Sequence, residues 1–393
     1  MASGLRERVA RMPTMPVKST KLVDFTRGAE RMSRPKKTSY TLSLGRRMSI
    51  TMIAAALVLV LGACSSSSTR ASANAAVAMP SELRFGYFPN FTHAVGIIAL
   101  EKGYLTKRLG KRVKITPVIF NAGPAAIEGL FGNAVDVTLV GPNPTITGYT
   151  QSAGAALRVI AGGASGGAGL VVRADIDSVA DLKGKTIATP QLGNTQDVAL
   201  RYFLKTKGLS TTTEGGGDVH VMPQDNATAL AGFTAGTIDG AWVPEPWVSR
   251  MVAEGGGKEL VNEKSLWKGG KFVVTNTIAS TAFLQKYPPA ISAVVEAELD
   301  ATAFIKAHPA DAKSLVNSYI KSVTGSSIDP KYLDSAWSQV DFTIDPLPST
   351  LLKSAAHAHS VGLLDSVSLA GLYDLKALNA ALVKRGEGKV SAP

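Results

Sequence analysis

From residue 83 onward, short apolar runs alternate with longer stretches in which apolar positions recur every three or four residues. Leu83–Phe88 (LRFGYF) reads as a strand and His93–Leu105 as a helix. Lys114–Phe120 reads as the next strand, followed by a helix over Ala125–Phe131. Asp136–Gly141 is a third strand, Asn143–Ala153 a helix, and Arg158–Gly162 a fourth strand. Such strand–helix repetition predicts an α/β fold, with parallel strands covered by helices on both faces.

A second series of the same kind begins after Leu170–Arg173. Strands are expected over Lys185–Thr189, Val219–Pro223 and Gly240–Val243, and helices over Thr195–Lys207, Ala227–Thr234 and Trp247–Ala253. The run KFVVTNTIAS from Lys271 is a long strand. Pro288 to Lys384 is mostly helical, with apolar spacing such as Ile291, Val294, Val295 and Leu299, and a short extended segment at Val340–Ile344 interrupts it. Two similar halves follow, with the chain leaving the first near 172 and returning near 272. The expected division is lobe I over 82–172 and 272–393, and lobe II over 173–271. Ligands of open α/β sheets bind beyond the carboxyl ends of the strands, so two lobes facing each other make a cleft.

Charge changes the picture only at the N-terminus. The chain carries 42 Lys+Arg against 30 Asp+Glu, a net of +12. Residues 1–47 hold twelve basic residues against Glu7, Asp24 and Glu30, which alone gives +9. From Cys64 onward the net is about +3, so no nucleic-acid partner is called for. Met48–Ala63 (MSITMIAAALVLVLGA) is uncharged with an apolar centre at Ile53–Leu61. That centre suits a signal peptide, which needs about 7–15 apolar residues, whereas a membrane span needs roughly 20. Leu61-Gly62-Ala63-Cys64 matches the bacterial lipobox, in which the cysteine takes a diacylglyceryl group and becomes the mature N-terminus. Residues 1–63 are thus expected to be a leader and lipoprotein signal peptide, and 64–81 a flexible Ser/Ala linker. The protein is expected outside the cytoplasm, held by lipid to the outer face of the membrane, and translation from Met48 would give a leader of more usual length. Cys64 is the lone cysteine, so no disulfide staples the body.

The loops after the expected strands are rich in Gly, Pro, Asn and Thr and almost free of charge. They are Pro89-Asn90-Phe91-Thr92-His93, Asn121-Ala122-Gly123-Pro124, Gly141-Pro142-Asn143-Pro144, and Thr189 through Asp197. Each supplies an N-cap candidate (Thr92, Asn143, Asn194 or Thr195) or a proline at a helix start. Helix N-termini converging on a cleft form an anion site, because free N–H groups and the helix dipole both favour negative charge. Caps of this kind also occur throughout α/β proteins with no ligand at all.

Those same segments carry a resemblance to a known family. Gly86-Tyr87-Phe88-Pro89-Asn90, Ala99-Leu100-Glu101-Lys102-Gly103, Asn121–Pro124, Gly141–Pro144, Asp181–Lys185, Thr189–Asp197 and Ala241–Trp247 occur in order along the chain. Over Leu83 to about Leu382 the body resembles bacterial ABC-importer solute-binding proteins of the nitrate/sulfonate/taurine group. The resemblance implies a two-lobed type II periplasmic-binding-protein-like fold, with mixed sheets flanked by helices and substrate trapped as the lobes close. It implies a small anionic solute and, as partners, a permease and its ATPase. Carried over by position, Asn90, Thr92, His93, Gly123, Pro124 and Asn143 would serve from the first lobe. Asn194, Thr195 and Trp242 or Glu245 would serve from the second, with Trp242 packing an organic tail. Alkanesulfonate binders often carry Trp-Asp-Pro where this chain has Val-Pro-Glu-Pro. An aliphatic sulfonate is the expected ligand, with nitrate, taurine or a heterocyclic nutrient as alternatives.

Glu245 is awkward beside an anion, and orienting a backbone turn is its simpler role. His357 and His359 stand two apart on a helix and point to different faces, which argues against a metal pair. His220 and His308 look incidental, and Phe283, Tyr287 and Phe304 fit core stripes. No phosphate loop or nucleophile with a His/Asp context is present. The expectation is therefore a monomeric binding protein without metal or cofactor, not an enzyme. Relatives of this fold that make the thiamine pyrimidine rely on Cys-rich elements, which this chain lacks.

Overall fold

The protein is described by a computed structural model over residues 79–366 and 368–392, which lie within one compact unit. The leader, Cys64 and the linker as far as residue 78 lie outside the described residues. The strands are β1 (Glu82–Tyr87), β2 (Lys114–Ile119), β3 (Val137–Val140), β4 (Leu157–Gly166), β5 (Ala168–Val172) and β6 (Thr186–Thr189). They continue with β7 (His220–Pro223), β8 (Gly240–Pro244), β9 (Lys258–Asn262), β10 (Val273–Ser280) and β11 (Val340–Phe342). The helices are α1 (Ala94–Glu101), α2 (Tyr104–Leu109), α3 (Gly123–Phe131), α4 (Pro142–Gln151), α5 (Thr195–Thr206), α6 (Asn226–Ala235) and α7 (Trp247–Gly255). After these come α8 (Thr281–Lys286), α9 (Pro288–Ala307), α10 (Pro309–Thr324), α11 (Pro330–Ser338), α12 (Pro348–Ser360) and α13 (Lys376–Lys384).

The strands form two mixed sheets, ordered β11-β4-β10-β3-β1-β2 and β7-β6-β8-β5-β9. In the first, β1 pairs parallel with β2 and β3, while β10 runs antiparallel between β3 and β4. In the second, β6 is parallel to β7 and β8, and β5 is antiparallel to β8 and β9. The parallel expectation thus holds for the βαβ cores, and the returning strands β5 and β10 make the sheets mixed. Each sheet separates two apolar clusters. Leu83, Phe85, Ile97 and Val294 pack on one face of the first sheet, and Ile127, Ile146, Val159 and Leu351 on the other. Leu200, Phe203 and Trp242 lie on one face of the second sheet, opposite Phe233, Val243 and Met251.

Three local departures from the sequence reading have simple causes. The single helix expected over His93–Leu105 breaks into α1 and α2 because Gly103, at φ +67°, adopts a left-handed conformation that ends a helix. Strand β9 (KELVN) is a half-exposed edge with no clear alternation, so its pattern carries little signal. Strand β5 was expected with the first lobe but pairs in the second sheet, so the crossing falls at Gly166–Gly167 rather than near 172. Gly166 and Gly167 both have positive φ (+74° and +69°), as do Gly269 and Gly270 (+65° and +69°) beside the return crossing. Both connections between the sheets therefore carry a Gly pair in a conformation that other residues rarely adopt.

Candidate functional site

The carboxyl ends of the strands in both sheets open onto a shared cleft, and the lobes touch across it. The Phe91 N–H donates to the Glu245 carbonyl oxygen at 3.1 Å, and Trp247 Nε1 donates to Asn90 Oδ1 at 2.9 Å. On the other side the Gly123 N–H donates to Asn194 Oδ1 at 3.2 Å. Gly141 faces Thr195 so closely that a Cβ there would overlap the Thr195 hydroxyl. Between these contacts lies a cavity of 20 Å³, room for about one small polar group or water.

Helix starts surround this cavity. Gly141 is the N-cap of α4, Asn194 the N-cap of α5, and Asn226 the first residue of α6, and all three line it. None of the three starts is capped by a side chain. The first N–H groups that remain, several at α5 and α6 but only that of Asn143 at the proline-flanked start of α4, have no capping side chain, and the positive ends of the dipoles converge. The Thr195 hydroxyl and Asn226 Oδ1 are buried without a hydrogen-bond partner. Rotating the Asn226 amide presents its NH2 group instead, so both side chains can donate.

No Lys, Arg, Asp or Glu lines the cavity; the lone titratable group is His93. Burial pushes the His93 imidazole down to about 3, so it is neutral at physiological pH. Its Nδ1 accepts the Phe88 N–H at 3.2 Å and its ring stacks on Phe88, which places the proton on Nε2 and makes that nitrogen a donor. Asn90 gives its oxygen to Trp247, which leaves its NH2 group free to donate. The one ion pair close by is internal to α5. Asp197 receives Arg201 Nε, the Thr189 hydroxyl at 2.8 Å and the Gly193 N–H at 2.9 Å, which ties the 189–193 loop to the helix it leads into. The site is a ring of neutral donors suited to a small anion.

The sequence candidates divide on inspection. Asn90, Thr92, His93, Asn194 and Thr195 line the cavity together. Gly123 meets the opposite lobe through its N–H, and Pro124 sits beside it at the start of α3. Asn143 turns away, its Nδ2 donating to the Ser354 carbonyl of α12 at 3.1 Å. Trp242 is wholly buried in the second lobe, with Nε1 donating to Glu263 at 2.8 Å, so it packs a core rather than a ligand tail. Trp247, five residues on, is the tryptophan that reaches lobe I. The Glu245 carboxyl receives the Ser249 N–H and hydroxyl in the first turn of α7, and burial raises it to about 8. It braces a turn, while its backbone oxygen takes the cross-lobe bond.

Asn121, Gln196 and Asn226 line the cavity too and were not singled out. Asn226 follows Asp225 at the end of β7, the same strand–loop–helix pattern that marked the other loops. The sequence reading began that helix one residue later and so passed over it. No cluster of His, Cys, Asp and Glu that could hold a metal is present among the described residues. No helix among them is long and apolar enough to cross a membrane.

Residues 77–320 match the NMT1-like family. The chain belongs to it. The chain is 28% identical over 202 residues to an Escherichia coli protein named as a putative aliphatic sulfonates-binding protein, a match covering 50% of this chain and 60% of that relative. It is 25% identical over 182 residues to the taurine-binding periplasmic protein of Escherichia coli, covering 46% of this chain and 54% of the relative. Among solved structures, the alkanesulfonate-binding protein SsuA from Xanthomonas axonopodis pv. citri, bound to MOPS, superposes with a TM-score of 0.62 at 25% identity. That match covers 74% of this chain and 96% of SsuA. The periplasmic nitrate-binding protein NrtA from Synechocystis superposes with a TM-score of 0.65 at 16% identity, over 77% of this chain and 89% of NrtA. This NMT1-like chain therefore has the periplasmic-binding-protein fold, as the sequence resemblance implied.

Proposed function

We propose that this protein is the extracytoplasmic solute-binding component of an ABC importer and that its solute is a small organic sulfonate. The observation that carries the reading is the meeting of three uncapped helix starts from both lobes at one charge-free cavity. There the Thr195 hydroxyl is buried without a partner. A sulfonate is fully ionised, weakly basic, and offers three oxygens to several donors at once. Neutral dipoles suit such an ion, since a strong fixed cation would slow its release. Because the donors belong to both lobes, the anion binds the closed form better than the open one and drives closure by that difference. The names of the relatives, sulfonate and taurine binders among them, point the same way.

The permease and its ATPase would read the closed form. The lipid on Cys64 would keep the binder beside them, two acyl chains being enough for stable anchoring. Radiolabelled palmitate should enter the wild-type chain in a bacterial host and fail to enter Cys64→Ala. Calorimetry and thermal shift with methanesulfonate, taurine, nitrate and sulfate test the central claim. A sulfonate should raise Tm and bind with one-to-one stoichiometry. Absence of binding by every sulfonate would reject the reading, and turnover of any of them would replace it with an enzyme.

A further inference from the structure

A second, larger hollow opens from the same place. It is a groove of about 420 Å³ between α5 of one lobe and α12 of the other, floored by the return crossing. It meets the small cavity at Thr195, which lines both. From there it follows one face of α5 through Val198, Tyr202 and Thr206 to Lys207, some 18 Å by the helical rise of about 1.5 Å per residue.

Its walls are flat and aromatic. Tyr202 of lobe II stacks on His357 of lobe I with ring centres 3.6 Å apart and planes 11° from parallel. Trp267 stacks on Phe272 at 5.3 Å and approaches His357 at 5.3 Å. Burial and the neighbouring Lys353 push His357 down to about 4, so this ring is neutral and stacks without charge. The outer rim is cationic. Lys207, Lys268 and Lys353 line it; none of the three forms an ion pair among the described residues, and Lys207 lies over the Phe203 ring at 5.7 Å. The lone acid in the lining, Glu263, is held at the buried end by Trp242 and Trp267.

We propose that this groove holds the tail of the same ligand, and that the tail is a planar aromatic or heterocyclic ring bearing a second acidic group. The ring would lie in the groove against the exposed faces and edges of these mutually stacked rings, and the second acid would reach the lysine rim. The inference rests on the proposed anion site at Thr195 and adds the class of solute. A short aliphatic chain would leave the open faces of the aromatic walls and the three rim lysines without a ligand contact.

Binding of three probes to the full chain in detergent, measured by calorimetry, separates the two claims. Methanesulfonate supplies the head alone, benzenesulfonate the head and ring, and 4-sulfobenzoate the head, ring and second acid. Benzenesulfonate should bind about tenfold tighter than methanesulfonate, from burial of the ring. The second acid should add roughly another threefold at low salt, an advantage that fades as salt screens it. Lys268→Gln with Lys353→Gln should bring 4-sulfobenzoate down to the level of benzenesulfonate. Tyr202→Ala should shrink the benzenesulfonate advantage over methanesulfonate. Equal affinity for all three probes overturns this inference and leaves the anion site standing. Failure of all three to bind overturns both.

Discussion

The starts of α4 and α5 come from the same kind of sequence, a charge-free loop of Gly, Pro, Asn and Thr, and they face each other across the cleft. At α4, Pro142 and Pro144 remove two of the first N–H groups, and the Asn143 amide is committed to the Ser354 carbonyl. At α5, Thr195, Gln196 and Asp197 each keep an N–H, no side chain caps them, and the Thr195 hydroxyl is unpartnered. One start is a brace that fixes α4 against α12; the other is a donor set aimed into the cavity. A proline at a helix start satisfies the backbone and removes a donor in the same stroke. Loop composition alone therefore cannot tell a brace from a binding site.

The largest expected effect comes from keeping the two starts apart. Gly141→Val places side-chain atoms where the Thr195 hydroxyl sits, at a φ of −70° that valine tolerates, so closure is blocked rather than folding. Sulfonate affinity should fall by about a hundredfold or more, since closure supplies the second half of the contacts. Small-angle scattering should show the variant staying open with ligand. Wild-type affinity in Gly141→Val would dismiss the contact between the two starts as a determinant of binding.

Next in size is the direct comparison of brace and donor. Thr195→Val should weaken sulfonate binding about tenfold, the loss of one hydrogen bond to a charged group. Asn143→Ala should instead cost about 1 kcal/mol of stability in a urea titration, the loss of one buried hydrogen bond to the Ser354 carbonyl. If Asn143→Ala weakens binding as much as Thr195→Val does, the distinction between the starts collapses. A smaller pair of changes extends the comparison to the tryptophans. Trp247→Phe removes the link to Asn90 and should weaken binding about threefold to fivefold with little change in Tm. Trp242→Phe should lower Tm and leave affinity nearly intact, because Trp242 is wholly buried in the lobe core and lines neither hollow.

The smallest effect concerns pH. His93 has a folded pKa of about 3, below its ordinary value near 6.5, so the unfolded chain binds more protons between those limits. Its contribution to stability is therefore full above pH 6.5 and is lost as pH falls toward 3. Glu298, raised by burial to about 8, acts in the opposite sense, its contribution fading as pH rises from the ordinary carboxylate range toward 8. Comparing urea stability of wild type and His93→Gln from pH 7 to pH 4 isolates the histidine. The variant should show a shallower acid-side decline. An equal decline in both would mean that His93 is not buried neutral, and the charge-free account of the cavity would fail with it.

Much of this was legible in the chain. Apolar patterns placed β1, β3, α4, α5 and α7 within a few residues, because each is a run of largely buried positions bounded by turn residues. Asn90, Thr92, His93, Asn194 and Thr195, which line the cavity, were singled out because strand ends and helix caps have local signatures. The misses share one physical cause: they depend on what a side chain meets, not on where it stands in its own element. Trp242 and Trp247 sit at the two ends of one short segment, yet one faces Glu263 in its own lobe and the other Asn90 in the opposite lobe. Glu245 was carried over as a cleft residue with a turn as its simpler role, and the structure gives it that turn, bracing α7 with a carboxyl raised by burial.

By itself, then, the sequence determined the α/β class, the two strand–helix series, the loops that would meet, and the expectation of export. Those follow from periodicity, capping and charge distribution, which act over a few residues. Only the tertiary structure decided that β5 belongs to the second sheet, that Asn226 joins the ring of donors, and that an aromatic groove runs outward from Thr195. Each of these joins residues far apart in the chain, and strand pairing and side-chain contact over such separations depend on how both lobes pack at once.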